Sequence, residues 1–261
     1  MPHPLQRLLP IPALLPLLLG TGAAQSQSLE APAGLMECAA PAPGRYVVLG
    51  SGQQDGEPAA VLMQETWTAD GRIEGTRGLR VGRRFQEDRY TGRVTASDHC
   101  WARVERQGKA GTMTESVALN QQGVPQASLL SGSNQVMPLR YVGQAETRCR
   151  VEQLDGLVTS QQQGQSWQNG AWQPNAVVQR EWWRSGTVQG LAFASGGGQQ
   201  DQVTYSGRLR LGQDCLGRMV QRDSKRVTYD YRVVVLADGR GYMYLQTDPD
   251  NLTLGLLQRQ P

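Results

Sequence analysis

The chain has 261 residues, 26 Lys and Arg against 23 Asp and Glu, and a formal net charge of +3. Positive and negative residues are interspersed with no basic block, which argues against nucleic acid as a partner. The only His are His3 and His99, and the four Cys show no CxxC spacing, so neither a metal site nor a cofactor motif is expected.

The first element in chain order is "MPHPLQRLLPIPALLPLLLGTGAA". It has a short start with Arg7, an apolar run from Leu8 to Leu19, and small residues from Gly20 onward. That layout predicts a secretory signal peptide over residues 1–26, cut between Ala24 and Ser26. The run is short for a membrane span, and Pro10, Pro12 and Pro16 interrupt it. Loss of Arg7, with no Asp or Glu before residue 25, brings the formal charge from +3 to +2. Cys38 follows Glu37 and lies far from the apolar run, which speaks against a lipid anchor. No later segment is apolar enough for a transmembrane helix. The expected location is secreted or periplasmic, a compartment where Cys38, Cys100, Cys149 and Cys215 form disulfides.

The remaining chain predicts strands throughout. Runs alternate apolar and polar residues between Gly, Asn and Asp turns, and no apolar period of 3.6 residues is present. In the first half, Val61, Met63, Glu65 and Trp67 share one strand face. Further on, Tyr90, Gly92, Val94 and Ala96 point one way and Arg89, Thr91, Arg93 and Thr95 the other. "SDHC" (97–100) places Ser97, Asp98 and His99 side by side. Adjacent strand residues face opposite ways, so this reads as a turn and not as a catalytic triad. In the second half, strands are expected near 154–163, 176–185, 187–196, 200–212, 215–223, 226–237, 240–247 and 252–259. "WQNGAW", "RSGT", "ADGRG" and "DPDN" supply turns. The Gly-rich "SGGGQQD" (195–201) precedes a strand and lacks a following Lys-Ser/Thr, so it is a turn and not a phosphate loop.

The two halves repeat one another. Trp67, Gly71, Gly75, Tyr90, Gly92, Arg93, Cys100 and Arg103 match Trp182, Gly186, Gly190, Tyr205, Gly207, Arg208, Cys215 and Arg218. On this alignment Glu65 lies over Arg180. Two units are expected, 38–148 and 149–261, joined near "GQAETR". Trp67, Trp182, Tyr90, Tyr205, Gly92 and Gly207 are expected in the cores. Four Cys allow three pairings; equivalent units would each close their own bond, Cys38–Cys100 and Cys149–Cys215. Near-sequential strands with tight turns predict an all-β fold of two tandem antiparallel meander barrels of about eight strands each. Closure removes exposed edges. Paired β-sandwiches are the alternative.

"GRLRLGQDCLG" carries Gly207, Asp214, Cys215 and Gly217, and "CAAPAPGRYVVLGSG" carries Cys38, Gly44 and Tyr46. With these residues the chain resembles a group of exported bacterial proteins whose pattern is Gly-x-Tyr-x-Val-x-x-Asp-Cys-x-Gly. The first half departs from it: "GRVTASDHC" keeps Gly92 and Cys100, moves the acid to Asp98 and lacks the final Gly. The resemblance implies small lipocalin-like (calycin-like) barrels with a disulfide, and it implies no activity. "ADGRIEGT" also resembles an avidin hairpin, a likeness any Gly-cornered meander can show.

No catalytic constellation emerges. Glu65, Glu105, Glu115, Glu152 and Glu181 are scattered, and Glu65 reads first as a barrel-mouth residue in water, since charged residues are rarely buried unpaired, and second as a pocket group specific to the first half. The chain has six Trp against two Phe. "SWQNGAWQ" places Trp167 and Trp172 across a two-residue turn as a non-hydrogen-bonded pair, which reads first as a cross-strand staple and second as a ligand clamp. Trp167, Trp172 and Trp183 are the candidate ligand contacts. The expected function is a non-enzymatic binding or envelope-associated protein, with a small apolar or ring-shaped ligand in the second barrel. A metal-independent calycin-type enzyme and a purely structural surface protein are the alternatives. Asn251 in "NLT" is an acceptor for glycosylation in a source that modifies such sites.

Overall fold

The structure, a computed structural model, describes residues 38–132, 134–144, 148–236 and 239–260. The expected signal peptide and residues 145–147 of the expected connection lie outside the described residues. Sixteen strands follow in chain order. The first eight are β1 (Gly44–Gln54), β2 (Glu57–Trp67), β3 (Arg72–Val81), β4 (Arg84–Ser97), β5 (Trp101–Gly108), β6 (Gly111–Leu119), β7 (Pro125–Gly132) and β8 (Gln135–Gln144). A single 3-10 turn, Val151–Leu154, precedes the second eight. These are β9 (Gly156–Gln168), β10 (Ala171–Arg184), β11 (Thr187–Gly196), β12 (Gln199–Leu211), β13 (Leu216–Asp223), β14 (Thr228–Val235), β15 (Gly241–Gln246) and β16 (Asn251–Arg259). Each set of eight closes into its own antiparallel barrel, with β1 pairing β8 and β9 pairing β16. The expected fold class is thus the observed one, and neither unit is a sandwich.

Local chemistry sets the hairpins. Asn169 and Gly170 both take positive φ (51° and 81°), as do Ser185 and Gly186 (48° and 75°). Such pairs match the right-handed twist of the flanking strands. Between β2 and β3 the connection runs Thr68–Ala69–Asp70–Gly71, whereas β10 and β11 are joined by Ser185–Gly186 alone. This difference in turn length corrects the repeat alignment by one residue before the turn. Trp183, not Trp182, is the counterpart of Trp67, since each pairs with the first apolar residue of the next strand, Val188 and Ile73. Trp67 and Trp183 are each 1% exposed, while Trp182 stands 59% exposed on the outer face. The same shift places Glu181, not Arg180, opposite Glu65.

Other repeat-matched positions form a common packing device. Gly75 pairs with Tyr90, and Gly190 with Tyr205. A Cβ at Gly190 would lie 2.2 Å from the Tyr205 ring. The missing side chain therefore lets the tyrosine lie over the neighbouring strand, where it is buried, and reach the barrel interior.

Each barrel has its own core, and a third apolar cluster joins their outer faces. In β2, Ala59, Val61 and Met63 point inward, while Ala60 and Leu62 meet Val234, Met243, Leu245 and Leu252 of the second barrel. Burial on both faces explains why "AAVLM" and "VVVL" are continuous apolar runs and not alternating ones. Polar groups edge this contact. Gln64 Nε2 donates to the Asp214 carbonyl at 2.7 Å, and Gln144 Nε2 to the Val235 carbonyl at 2.9 Å.

Both expected disulfides are present, with Cα separations of 5.2 Å for Cys38–Cys100 and 4.9 Å for Cys149–Cys215. Loops of this length stabilise by about 4 kcal/mol each in the chain-entropy description. Cys149 and Cys215 are buried in the second core, while Cys38 and Cys100 are half-buried. Thiol exchange needs access to a sulfur atom. Under mild reductant, alkylation mapped by mass spectrometry is expected to label Cys38 and Cys100 before Cys149 and Cys215. The reverse order would contradict this packing.

Candidate functional site

Each barrel holds a buried carboxylate at the equivalent position, and the surroundings differ in kind. In the first barrel Glu65 accepts from Trp67 Nε1 (2.7 Å), Tyr90 Oη (2.7 Å), and Arg106 Nε and Nη2 (2.7 and 2.8 Å). Arg106 Nη1 reaches Glu115 at 2.5 Å, and Glu115 also accepts from Ser128 and Tyr141. Burial pushes the Glu65 carboxyl up, but the Arg106 guanidinium and the other donors outweigh it and hold it below the usual carboxylate range. Glu65 is therefore a structural ion-pair partner, 1% exposed, and not a residue in water at the mouth. The expectation failed because Arg106 and Glu115, distant in sequence, face Glu65 only once the barrel closes.

In the second barrel the equivalent positions change. Gln221 stands where Arg106 does, and Tyr231 where Glu115 does. Glu181 accepts from Trp183 Nε1 (2.8 Å), Tyr242 Oη (2.5 Å), Tyr205 Oη (2.9 Å), Gln221 Nε2 (3.1 Å) and Gln179 Nε2 (3.2 Å). No cation offsets its burial, which raises the carboxyl above its ordinary value against the pull of these donors. Trp183 thus fills the barrel interior with its ring edge-on to Tyr242 at 5.4 Å. This corrects its candidacy as a ligand contact, because an enclosed ring has no face to offer.

One end of the second barrel is hollow. A cavity of about 330 Å³ opens there, lined by Gln162, Gln179, Tyr205, Tyr229, Tyr231 and Tyr244 among others. Strand register explains it. Where the first barrel has Met63, Arg77, Leu79, Leu130 and Leu139, the second has Gln179, Ala192, Ala194, Gln246 and Gly255. In the first barrel Arg77 fills that end, bidentate on buried Asp88 at 2.9 and 2.8 Å. Trading these bulky groups for small or amide side chains leaves a polar cup. Its lining is richer in amides and phenols than an apolar ligand requires. Sequence reasoning missed it, although a signal exists: in "VTSQQQGQS" both faces of β9 are polar, so one polar face must turn inward.

The Trp pair of the β9–β10 hairpin lies elsewhere. Trp167 and Trp172 are register partners with ring centroids 5.5 Å apart at 70°. Trp172 Nε1 donates to Glu57 at 2.9 Å, and the Arg83 guanidinium lies 5.8 Å from the Trp167 ring. The hairpin tip therefore leans on turns of the first barrel, and neither indole lines the cup. Aromatic pairs contribute about 0.5–1.5 kcal/mol beyond area burial. Replacing both by Leu is expected to lower the melting temperature by a few degrees and to abolish indole exciton coupling in circular dichroism. An unchanged melting temperature would remove the staple role.

Of the predicted Ser97–Asp98–His99 stretch, Ser97 ends β4 and Asp98 and His99 turn with Cys100 into β5, His99 taking φ 58°. Among the described residues no cluster of His, Cys, Asp and Glu forms a metal site.

The fold and site define a tandem pair of disulfide-closed antiparallel barrels, one filled and one cupped. No protein-family model matches the chain, and no curated protein matches it. Among solved structures it is similar to a porin-like protein from Bacteroides uniformis ATCC 8492. Identity is 9% over 86% of this chain and 98% of that chain, with a TM-score of 0.24.

Proposed function

We propose that this chain is an exported, non-enzymatic binding protein that holds a small, ring-shaped or polar ligand in the cup of its second barrel. The observation carrying this reading is the trade between duplicates. The first barrel spends its interior on packing and an ionic network, while the second gives up Arg77, Leu79 and Leu139 equivalents and keeps an open, polar end. An eight-stranded barrel interior is just wide enough for one small ligand. The first barrel and its outer-face cluster then serve as a brace for the second.

Export is supported by the N-terminal pattern and by two disulfides. Outward positions of β4 and β12 suit water, with Arg89, Thr91, Arg93, Thr204, Ser206 and Arg208 all exposed, while β10, β11 and β13 present Val178, Trp182, Phe193 and Val220 on the outer face. A lipid-facing barrel needs an apolar outer band.

Native mass spectrometry of the protein purified from its source tests the reading. A bound small-molecule mass is expected on the wild type. It should be missing from Ala194→Leu, which restores the first barrel's leucine and fills the cup. Absence of any bound mass, or retention of the same mass by Ala194→Leu, would count against a ligand in the cup.

A further inference from the structure

The outer face of the second barrel over β10–β13 differs in kind from its counterpart on the first. Three outward acids of the first barrel, Glu74, Glu87 and Glu105, give way at the equivalent register positions to Gln189, Gln202 and Val220. Over the same strands Gln64, Thr66 and Gln107 become Arg180, Trp182 and Arg222, and Gly78 becomes Phe193. The acids that β10, β12 and β13 do carry, Glu181, Asp201 and Asp223, turn to the interior or the cup. Arg180, Arg184, Arg208 and Arg222 stand exposed. Among the described residues none of the four forms an ion pair, whereas Arg218 on β13 is held by Glu87 of the first barrel.

Strand register sets these residues in rows. Trp182 stands beside Gln189, then Ser206, then Arg222. Arg184, Thr187, Arg208 and Val220 form the row on one side of it, and Arg180, Leu191 and Thr204 the row on the other. A shallow hollow lies on each side of the indole. Arg180, Leu191, Thr204 and Arg222 line the first, and Arg184, Thr187, Arg208 and Val220 the second. The outward acid next along the sheet, Asp230 on β14, pairs in register with Val220. Exposed apolar groups gathered on one face mark an interaction site, and free guanidinium groups select carboxylates and other oxyanions. The apolar groups here are not contiguous, because Gln189, Ser206 and Thr204 stand between them. A bilayer or a dry protein interface would strip these groups of water without replacing their hydrogen bonds. The hydroxyls of a hydrated sugar chain replace them. Its C–H faces suit the electron-rich face of Trp182, and its acidic groups suit the arginines in both hollows.

We infer that this outer face of the second barrel binds an acidic polysaccharide, with one sugar ring on Trp182 and neighbouring acidic groups on Arg180 and Arg222 to one side and Arg184 and Arg208 to the other. The site is separate from the cup and stands whether or not the cup holds a ligand.

Isothermal titration calorimetry of the purified protein tests it. The probes are polygalacturonate, neutral dextran, poly-L-glutamate, and vesicles of equal parts phosphatidylglycerol and phosphatidylcholine. Polygalacturonate is expected to bind, more weakly as salt rises, and dextran to bind at least about tenfold more weakly than polygalacturonate. Trp182→Ala and the double variant Arg180→Gln/Arg222→Gln should each weaken polygalacturonate by about tenfold or more. All three positions are exposed, so melting temperatures should hold and the loss can be read as lost binding. Arg93→Gln, on the outer face of the first barrel, and Ala194→Leu, which fills the cup, should leave polygalacturonate binding unchanged. Poly-L-glutamate binding that matches polygalacturonate and survives Trp182→Ala would put an acidic protein in place of the sugar and overturn the inference. Vesicle binding without polygalacturonate binding would overturn it in favour of a membrane surface. Polygalacturonate binding that Trp182→Ala and the double arginine variant leave intact, or no binding of polygalacturonate at all, would also overturn it.

Discussion

Arg106→Met is expected to destabilise the protein by about 3–5 kcal/mol, the range for breaking a buried ion pair by removing one partner. For a chain of this size that corresponds to a fall in melting temperature of roughly 10 °C or more. The reason lies in the arrangement around the guanidinium. Arg106, Glu65 and Glu115 have fully buried side chains, and one cation holds two carboxylates. Without it, two like charges would share a dry interior, and at least one would have to take a proton.

The sign of the pH dependence should invert with the substitution. In the wild type the Glu65 carboxyl is held low. Its contribution is therefore present above its unfolded pKa and lost as pH falls through the folded value. In Arg106→Met the Trp67 and Tyr90 donors remain, but burial outweighs them and raises the Glu65 carboxyl, as it does for Glu181. Stability should then be greatest at low pH and fall as pH rises through the raised values. Urea titrations across acidic to neutral pH would show the two opposite slopes. Glu65→Gln/Arg106→Met/Glu115→Gln, which removes all three charges, should recover much of the loss, since neutral replacements of buried ionic triads are often tolerated. A loss below about 1 kcal/mol for Arg106→Met would mean that water reaches this end of the barrel.

Trp183→Ala is expected to cost about 3–5 kcal/mol, as for other buried large-to-small changes. Trp182→Ala should stay within about 0.5 kcal/mol. The residues are neighbours of the same type, so composition and local propensity cannot separate them. Trp183 is enclosed, donates to Glu181 at 2.8 Å and packs on Tyr242, so its removal leaves both a void and a poorly satisfied carboxylate. Trp182 points from the same strand into solvent. Thermal denaturation of the two variants reads the strand register directly. Equal effects, or the larger effect at Trp182, would show that β10 is turned the other way.

The same pair shows where sequence reading stopped. Period-two alternation located the strands of the second half to within a few residues, and the repeat chose one disulfide pairing out of three. It could not place Trp67 against the correct tryptophan, because the matching glycines, Gly71 with Gly186 and Gly75 with Gly190, all follow the tryptophan and left a difference in turn length before them unseen. A one-residue slip exchanges the two faces of a strand. That slip is why Arg180 stood in for Glu181 and why the second buried carboxylate went unrecognised. The Trp167–Trp172 pairing was legible, because Asn-Gly turn chemistry acts locally. Its contact with Glu57 and Arg83 was not, because those residues arrive from another barrel.

What the sequence determined by itself is local or repetitive: strand spacing, turn chemistry, the duplication, the disulfide partners and the all-β class. These follow from backbone sterics and from side-chain alternation, which act over a few residues. The tertiary structure alone decided which barrel is filled and which is hollow. That outcome depends on summing the side chains that eight strands send to one interior. Arg77 with Asp88 and Leu139 meet from distant segments in the first barrel, whereas Ala192, Ala194 and Gly255 leave the same space open in the second.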